Sequence, residues 1–145
     1  MTFLLDVNVL IALVDARHFQ HDAAHEWFRR EGQARWATCP ITENGLVRIL
    51  SHPKYPNTMN APAVVLDVLS VMRELPGHEF WSDEISLTDE SVHRANLLTS
   101  AQITDTYLLA LAVRKGGRFA TLDKRLSALA VRNGTQKLHI IGNSP

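Results

Sequence analysis

An apolar run that meets an acid at the start of the chain limits what this sequence can fold into. Phe3-Leu4-Leu5 leads into Asp6, and beyond Asn8 the apolar character resumes through Val14. No charged side chain precedes Asp6. Such a run, without polar alternation, reads as a strand buried on both faces. Strands of that kind belong to parallel sheets with helices packed on either side. Asp6 then stands at the carboxyl end of a core strand, where open parallel α/β sheets bind their ligands.

The rest of the chain supplies the alternation that such a sheet needs. Val7 to Asp15 predicts a short helix capped by Asp6 or Asn8, and His21 to Glu31 an amphipathic one ended by Gly32. Arg35 to Cys39 reads as a second strand, and Pro40 opens a helix through Leu50. Pro53, Pro56 and the asparagines make residues 51–60 a loop. Asn60-Ala61-Pro62 starts a helix that continues to Leu75, and Glu79 to Trp81 reads as a short edge strand. Thr88 is expected to cap a helix through Leu98, and Thr104 a helix from Asp105 to Lys115. Arg118 to Leu122 forms a strand ending at Asp123, a helix follows to about Arg132, and Leu138 to Ile141 is the last strand. Strands and helices alternate throughout, which predicts an α/β fold with a mainly parallel sheet. No repeat or linker divides the chain, so residues 1–145 are expected to form one domain.

Composition excludes several classes of protein. Lys plus Arg and Asp plus Glu balance at 15 each, so any nucleic-acid contact must come from a local patch. The single cysteine, Cys39, forbids an internal disulfide and reads as a small buried residue. Asp6 and Asn8 interrupt the first apolar run, which is neither a signal peptide nor a membrane span. No membrane association is expected, and the expected location is the cytosol.

Among the 15 carboxylates, four stand out by position. Asp6 and Asp123 follow core strands. Glu43 has Leu46, Val47 and Leu50 at i+3, i+4 and i+7, and Asp105 has Leu108, Leu109 and Ala112 at the same offsets. Each of those two acids lies on the apolar face of its own helix. Taken singly, Asp6 and Asp123 are also good helix caps, and Asp105 a favourable first-turn acid. Taken together, four inward acids without an inward Lys or Arg would repel one another and lose hydration. A divalent cation such as Mg²⁺ or Mn²⁺, which prefers oxygen ligands, removes both costs. Such sites serve phosphoryl and phosphodiester chemistry. Asp6 and Asp105 are the expected primary ligands, with Asp123 a further ligand, direct or through water. Glu43 would orient or deprotonate the attacking water, or hold a second ion. Asn8 and Thr121 are polar neighbours suited to bonding the acids or substrate. Arg17, Arg48, Lys54, Arg114, Arg118, Lys124 and Arg125 are candidates for contacting a phosphate backbone.

Leu4-Leu5-Asp6-Val7-Asn8, Thr42-Glu43-Asn44-Gly45, Thr104-Asp105-Thr106-Tyr107-Leu108-Leu109-Ala110 and Phe119-Ala120-Thr121-Leu122-Asp123 resemble the four acidic motifs of PIN-domain ribonucleases, in family order. In particular they resemble the VapC toxins of bacterial type II toxin–antitoxin systems. The resemblance covers almost the whole chain. It implies a three-layer α/β/α domain with about five parallel strands, and a Mg²⁺- or Mn²⁺-dependent endoribonuclease that inhibits translation by cutting RNA. It also implies a homodimer and a VapB-like antitoxin that masks the site. Asn8 departs from the Ser or Thr that many members carry there, but keeps a hydrogen-bonding side chain.

Competing motifs are incomplete. His21-Asp22-Ala23-Ala24-His25 lacks the glutamate of a zinc-protease helix, and its histidines, with His18, read as helix and loop surface. A metal-free histidine-pair ribonuclease is a rival mechanism, yet no histidine sits at a strand end beside a partner. Asp6-Val7-Asn8 lacks the second acid of a haloacid-dehalogenase-like phosphatase, and a receiver domain's acidic pair is absent. Gly116-Gly117 is a helix stop without a phosphate-loop pattern. Two alternatives remain: a PIN nuclease of RNA maturation, and a catalytically inactive interaction module. In the latter, Trp27, Phe28, Ile49 and Leu50 would line a partner groove instead of the core.

Overall fold

Local chemistry starts the first two elements. In the computed structural model, which describes residues 1–142, β1 (Phe3–Leu5) gives way at once to α1 (Val7–Val14). Asp6 makes the junction, its Oδ1 accepting from the Val7 N–H at 2.7 Å as an N-cap. His21 and His25 of α2 (His21–Arg30) reach back to the other end of α1. Their ring nitrogens lie 2.7 and 2.9 Å from the carbonyl oxygens of Ala12 and Leu13. They thereby serve carbonyls that a helix end leaves unpaired, a use for the histidine pair that involves no metal.

Then come β2 (Trp36–Thr38), α3 (Pro40–Leu50), α4 (Pro62–Arg73), β3 (His78–Phe80), α5 (Ile103–Arg114), β4 (Arg118–Thr121), α6 (Gly134–Lys137) and β5 (Leu138–Ile140). The strands form one five-stranded sheet in the order β3-β2-β1-β4-β5. Every neighbouring pair is parallel, with Phe3 opposite both Trp36 and Arg118. Alternation along β1 divides the core. Leu5 packs with Val9, Trp27, Trp36, Leu46, Leu50 and Val65 beneath α1 to α4. Leu4 packs on the opposite face with Tyr107, Leu108 and Leu111 of α5, and with Phe119. The result is the expected three-layer α/β/α arrangement. Trp27 and Leu50 are buried and Phe28 and Ile49 pack against them, so these four belong to the core.

Two expected helices are absent. Thr88 to Leu98 forms turns, a short 3₁₀ turn at Arg94–Asn96 and an isolated antiparallel bridge between Val92 and Val131. The backbone N–H groups there are taken by the other segment: His93 donates to the Ala130 carbonyl at 2.7 Å and Arg132 to that of Ser91 at 2.9 Å. The same pairing prevents the helix expected between Asp123 and Arg132. There Asp123 Oδ1 accepts from the Arg125 N–H at 2.9 Å, a local turn that competes with helix. Two starts also move: α5 begins at Ile103 with Gln102 as its cap, so Thr104 lies in the first turn, and α4 is capped by Ala61.

Candidate active site

The strand order fixes where a site can form. β1 has β2 on one side and β4 on the other, so the chain reverses its winding direction between β1 and β4. Open parallel sheets bind ligands beyond the carboxyl ends of strands at such a crevice. Asp6 follows β1 there, its N–H donating to the Ala120 carbonyl of β4 at 2.9 Å. Asp123 follows β4 two residues after Thr121.

Thr121 ties the strand ends together. Its hydroxyl donates to Asp6 Oδ2 at 2.7 Å and accepts from Asn8 Nδ2 and from the Asp123 N–H, both at 3.1 Å. Asn8 Oδ1 accepts from the Leu122 N–H at 3.2 Å. Thr121 is fully buried and Asp6 is 6% exposed, so the Asp6 carboxylate is held in one orientation. Asn8, at the position where the motif departs from its family, takes part in this bonding directly.

Asp105, in the first turn of α5, lines the same cleft as Asp6, with Asn44, Gly45, Arg48 and Thr104. Burial, followed by repulsion from Asp105 and Asp123, pushes the Asp6 carboxyl up to about 6, against the lowering pull of the Thr121 hydroxyl and the Val7 N–H. The Asp105 carboxyl is also raised, by burial and then by Asp123. Asp6, Asp105 and Asp123 thus lie within one another's electrostatic reach. Among the described residues, no three His, Cys, Asp or Glu side chains stand close enough together to enclose a metal ion.

Glu43 is placed differently. Its Oε2 accepts from Thr38 Oγ1 at 2.6 Å, and its Oε1 pairs with Arg73 of α4 at 3.3 Å. Thr38 also contacts His78 Nε2 at 2.7 Å. Since the single Thr38 proton goes to the carboxylate, His78 must donate to Thr38 from Nε2. Glu43 lines a neighbouring groove between α3 and α4 and is absent from the lining of the Asp6–Asp105 cleft. The expectation that all four acids lack a cation therefore fails at Glu43, because α4 brings Arg73 to it. Arg17 and Arg118 are also elsewhere. Arg17 lines a pocket with Asp15 beyond the far end of α1. Arg118 opens β4, at the strand end opposite to Asp123. Of the basic candidates, Arg48 lines the acidic cleft.

Sequence reasoning gave Gly45, quoted in the second acidic motif, no role of its own. A Cβ there would lie 2.8 Å from Val7 Cγ2, closer than packed side chains tolerate. Glycine lets α3 sit against α1 and so brings Asn44 and Arg48 up to Asp6. Its signal was a glycine inside a helical pattern.

Comparison with known proteins assigns the chain to a family. The PIN domain family model matches residues 3–132, a span containing all four acids. The chain belongs to the PIN-domain family. Ribonuclease VapC44 of Mycobacterium tuberculosis is 43% identical over 138 residues, covering 94% of this chain and 96% of the relative. Ribonuclease VapC39 of the same organism is 43% identical over 128 residues, covering 88% and 92%. Among solved structures, VapBC2 from Rickettsia felis, bound to a DNA fragment from its promoter, matches with a TM-score of 0.60 over 100% of both chains. At 14% identity that likeness concerns the fold.

Proposed function

We propose that the protein is an endoribonuclease and the toxin of a type II toxin–antitoxin pair, hydrolysing phosphodiester bonds of RNA and thereby inhibiting translation. One observation carries the reading: a buried carboxylate, Asp6, locked by Thr121 at the sheet's switch point, with Asp105 and Asp123 repelling it. Its relatives named as VapC ribonucleases support it. The donor set is made of carboxylate oxygens alone, which fits Mg²⁺ or Mn²⁺ by its chemistry; Asp6 would be the anchoring ligand, with Asp105 and Asp123 reaching the cation through water or after a side-chain movement toward it. When bound, such a cation supplies a hydroxide-like water and charge neutralisation on the phosphate. The chain's own groups do the rest. Thr121 and Asn8 orient Asp6, Arg48 meets a phosphate oxygen at the cleft, and Glu43, held by Thr38 and Arg73, faces the substrate's approach. A VapB-like antitoxin is the proposed partner, supported by the relatives named VapC and by a neighbour of like fold solved as VapBC2, and a homodimer is the proposed assembly.

The test is RNA cleavage by the purified chain, free of partner, with Mn²⁺ or with EDTA, beside Asp6→Asn and Asp105→Asn. Cleavage with Mn²⁺ alone, lost in both variants, is the expected result. Cleavage that survives EDTA or both substitutions overturns the metal-nuclease reading. An antitoxin-like reading frame immediately upstream would distinguish a toxin from a nuclease of RNA maturation.

A further inference from the structure

The acidic cleft does not end at Asp105. It shares Pro40, Asn44 and Arg48 with the groove between α3 and α4. That groove has an apolar floor of Val47, Leu66, Leu69 and Phe80. Leu66 is 49% exposed and Phe80 46%, so two large apolar side chains of that floor are open to solvent. The Arg73 guanidinium stacks on the Phe80 ring at 4.6 Å from its centre while pairing with Glu43. Arg48 stands at the junction, exposed and in no ion pair among the described residues. The groove volume, about 620 Å³, falls in the range of ~300–1,000 Å³ that accepts small ligands.

We infer that the α3–α4 groove is a base subsite: it receives an unpaired base of the RNA whose phosphate lies in the Asp6–Asp105 cleft, with Arg48 on the connecting phosphate. The inference rests on the nuclease reading. Proteins that hold single strands combine a cationic track for the backbone with apolar and aromatic surfaces for bases. Here both elements adjoin the acids, and Arg73 pairs with Glu43, the one carboxylate that lines the groove itself. An A-form duplex keeps its bases stacked and cannot offer one to such a groove. The preferred substrate is therefore a loop or single strand. An apolar partner helix fits less well, because it would cover Arg48 without supplying a counter-charge.

The experiment uses a labelled RNA hairpin, cleaved by the intact chain, and a duplex containing the loop sequence fully paired. Binding is read by anisotropy in the full-length Asp6→Asn protein, and kcat and KM in the intact background. Leu66→Glu and Leu66→Lys place opposite charges on an exposed helical position, and circular dichroism checks their folding. Both are expected to weaken hairpin binding by about tenfold, the scale of one lost stacked base, and to raise KM more than they lower kcat. Arg48→Ala is expected to lower the slope of log affinity against log salt by about one, with Arg48→Lys restoring it. Equal binding and cleavage of hairpin and duplex would overturn the inference while the nuclease reading stands. So would unchanged hairpin affinity in both Leu66 variants, including the case where they disrupt self-association instead. An intact chain that neither binds nor cleaves RNA refutes the nuclease reading itself, and the base subsite with it.

Discussion

Asp6 and Glu43 both begin on sequence evidence as inward acids, and the fold treats them in opposite ways. Asp6 is buried, bonded to neutral donors and surrounded by like charge, so its carboxyl rises to about 6. Glu43 is 14% exposed along its side chain and meets a guanidinium. The first arrangement leaves an electrostatic cost that a bound cation would relieve. The second has been settled within the protein. Affinity for a cation is thus expected at Asp6, and a supporting role at Glu43.

Substitutions sharpen this contrast. The largest effect belongs to Asp6→Asn and Asp105→Asn, which should each lower RNA cleavage by more than about a hundredfold without unfolding the chain. The yardstick is that losing even an outer partner of a metal ligand costs about 10–100-fold. Thr121→Val is such an outer change, and a loss of about 10–100-fold in cleavage is expected. Full activity in Thr121→Val would mean that the Asp6 orientation does not matter.

The burial of Asp6 can be tested without substrate. The Asp6 carboxyl rises from 3.8 to about 6 on folding, so between those values the folded protein holds the proton more tightly than the unfolded chain. Its contribution is fully present below pH 4 and is lost as pH rises through about 6, about 3 kcal/mol at 1.36 kcal/mol per tenfold change in acidity. In EDTA, urea midpoints at pH 4 and pH 7 should therefore converge more closely for Asp6→Asn than for the wild type. Identical pH dependence in the two proteins would contradict the burial argument. Added Mg²⁺ should reduce the wild-type loss at pH 7, since a cation favours the ionised form.

Smaller effects follow at α3. Gly45→Ala forces a methyl against Val7 and should cost about 1–3 kcal/mol in urea unfolding, with activity falling as Arg48 moves. Arg73→Ala breaks a half-exposed ion pair and should cost under about 1 kcal/mol. A much larger loss would place Glu43 closer in kind to Asp6 than its exposure indicates.

Much of this was readable in the chain. The unbroken apolar character of Phe3 to Leu5 and the mainly apolar run from Phe119 to Leu122, broken by Thr121, announced buried strands, and the acids after them announced the switch point. The helix expected over Asp105 to Lys115 forms as α5, and it carries Asp105 in its first turn to the cleft that Asp6 lines. The helix expected from Thr88 failed for a reason that no local pattern carries: Val131 comes back to bridge Val92, and backbone groups prefer that partner. Arg73 was invisible as a partner of Glu43 because 30 residues separate them, and only the packing of α4 on α3 brings them together.

The sequence by itself determined the parallel α/β layering and the family and singled out the candidate acids, since apolar runs, motifs and strand-end carboxylates are local signals. Tertiary structure alone decided which acids remain without a counter-charge. It put Thr121 against Asp6 across the β1–β4 junction, Arg73 against Glu43, and Arg17 and Arg118 away from both. Electrostatic cost depends on burial and on neighbours in space, and neither is a property of position along a chain.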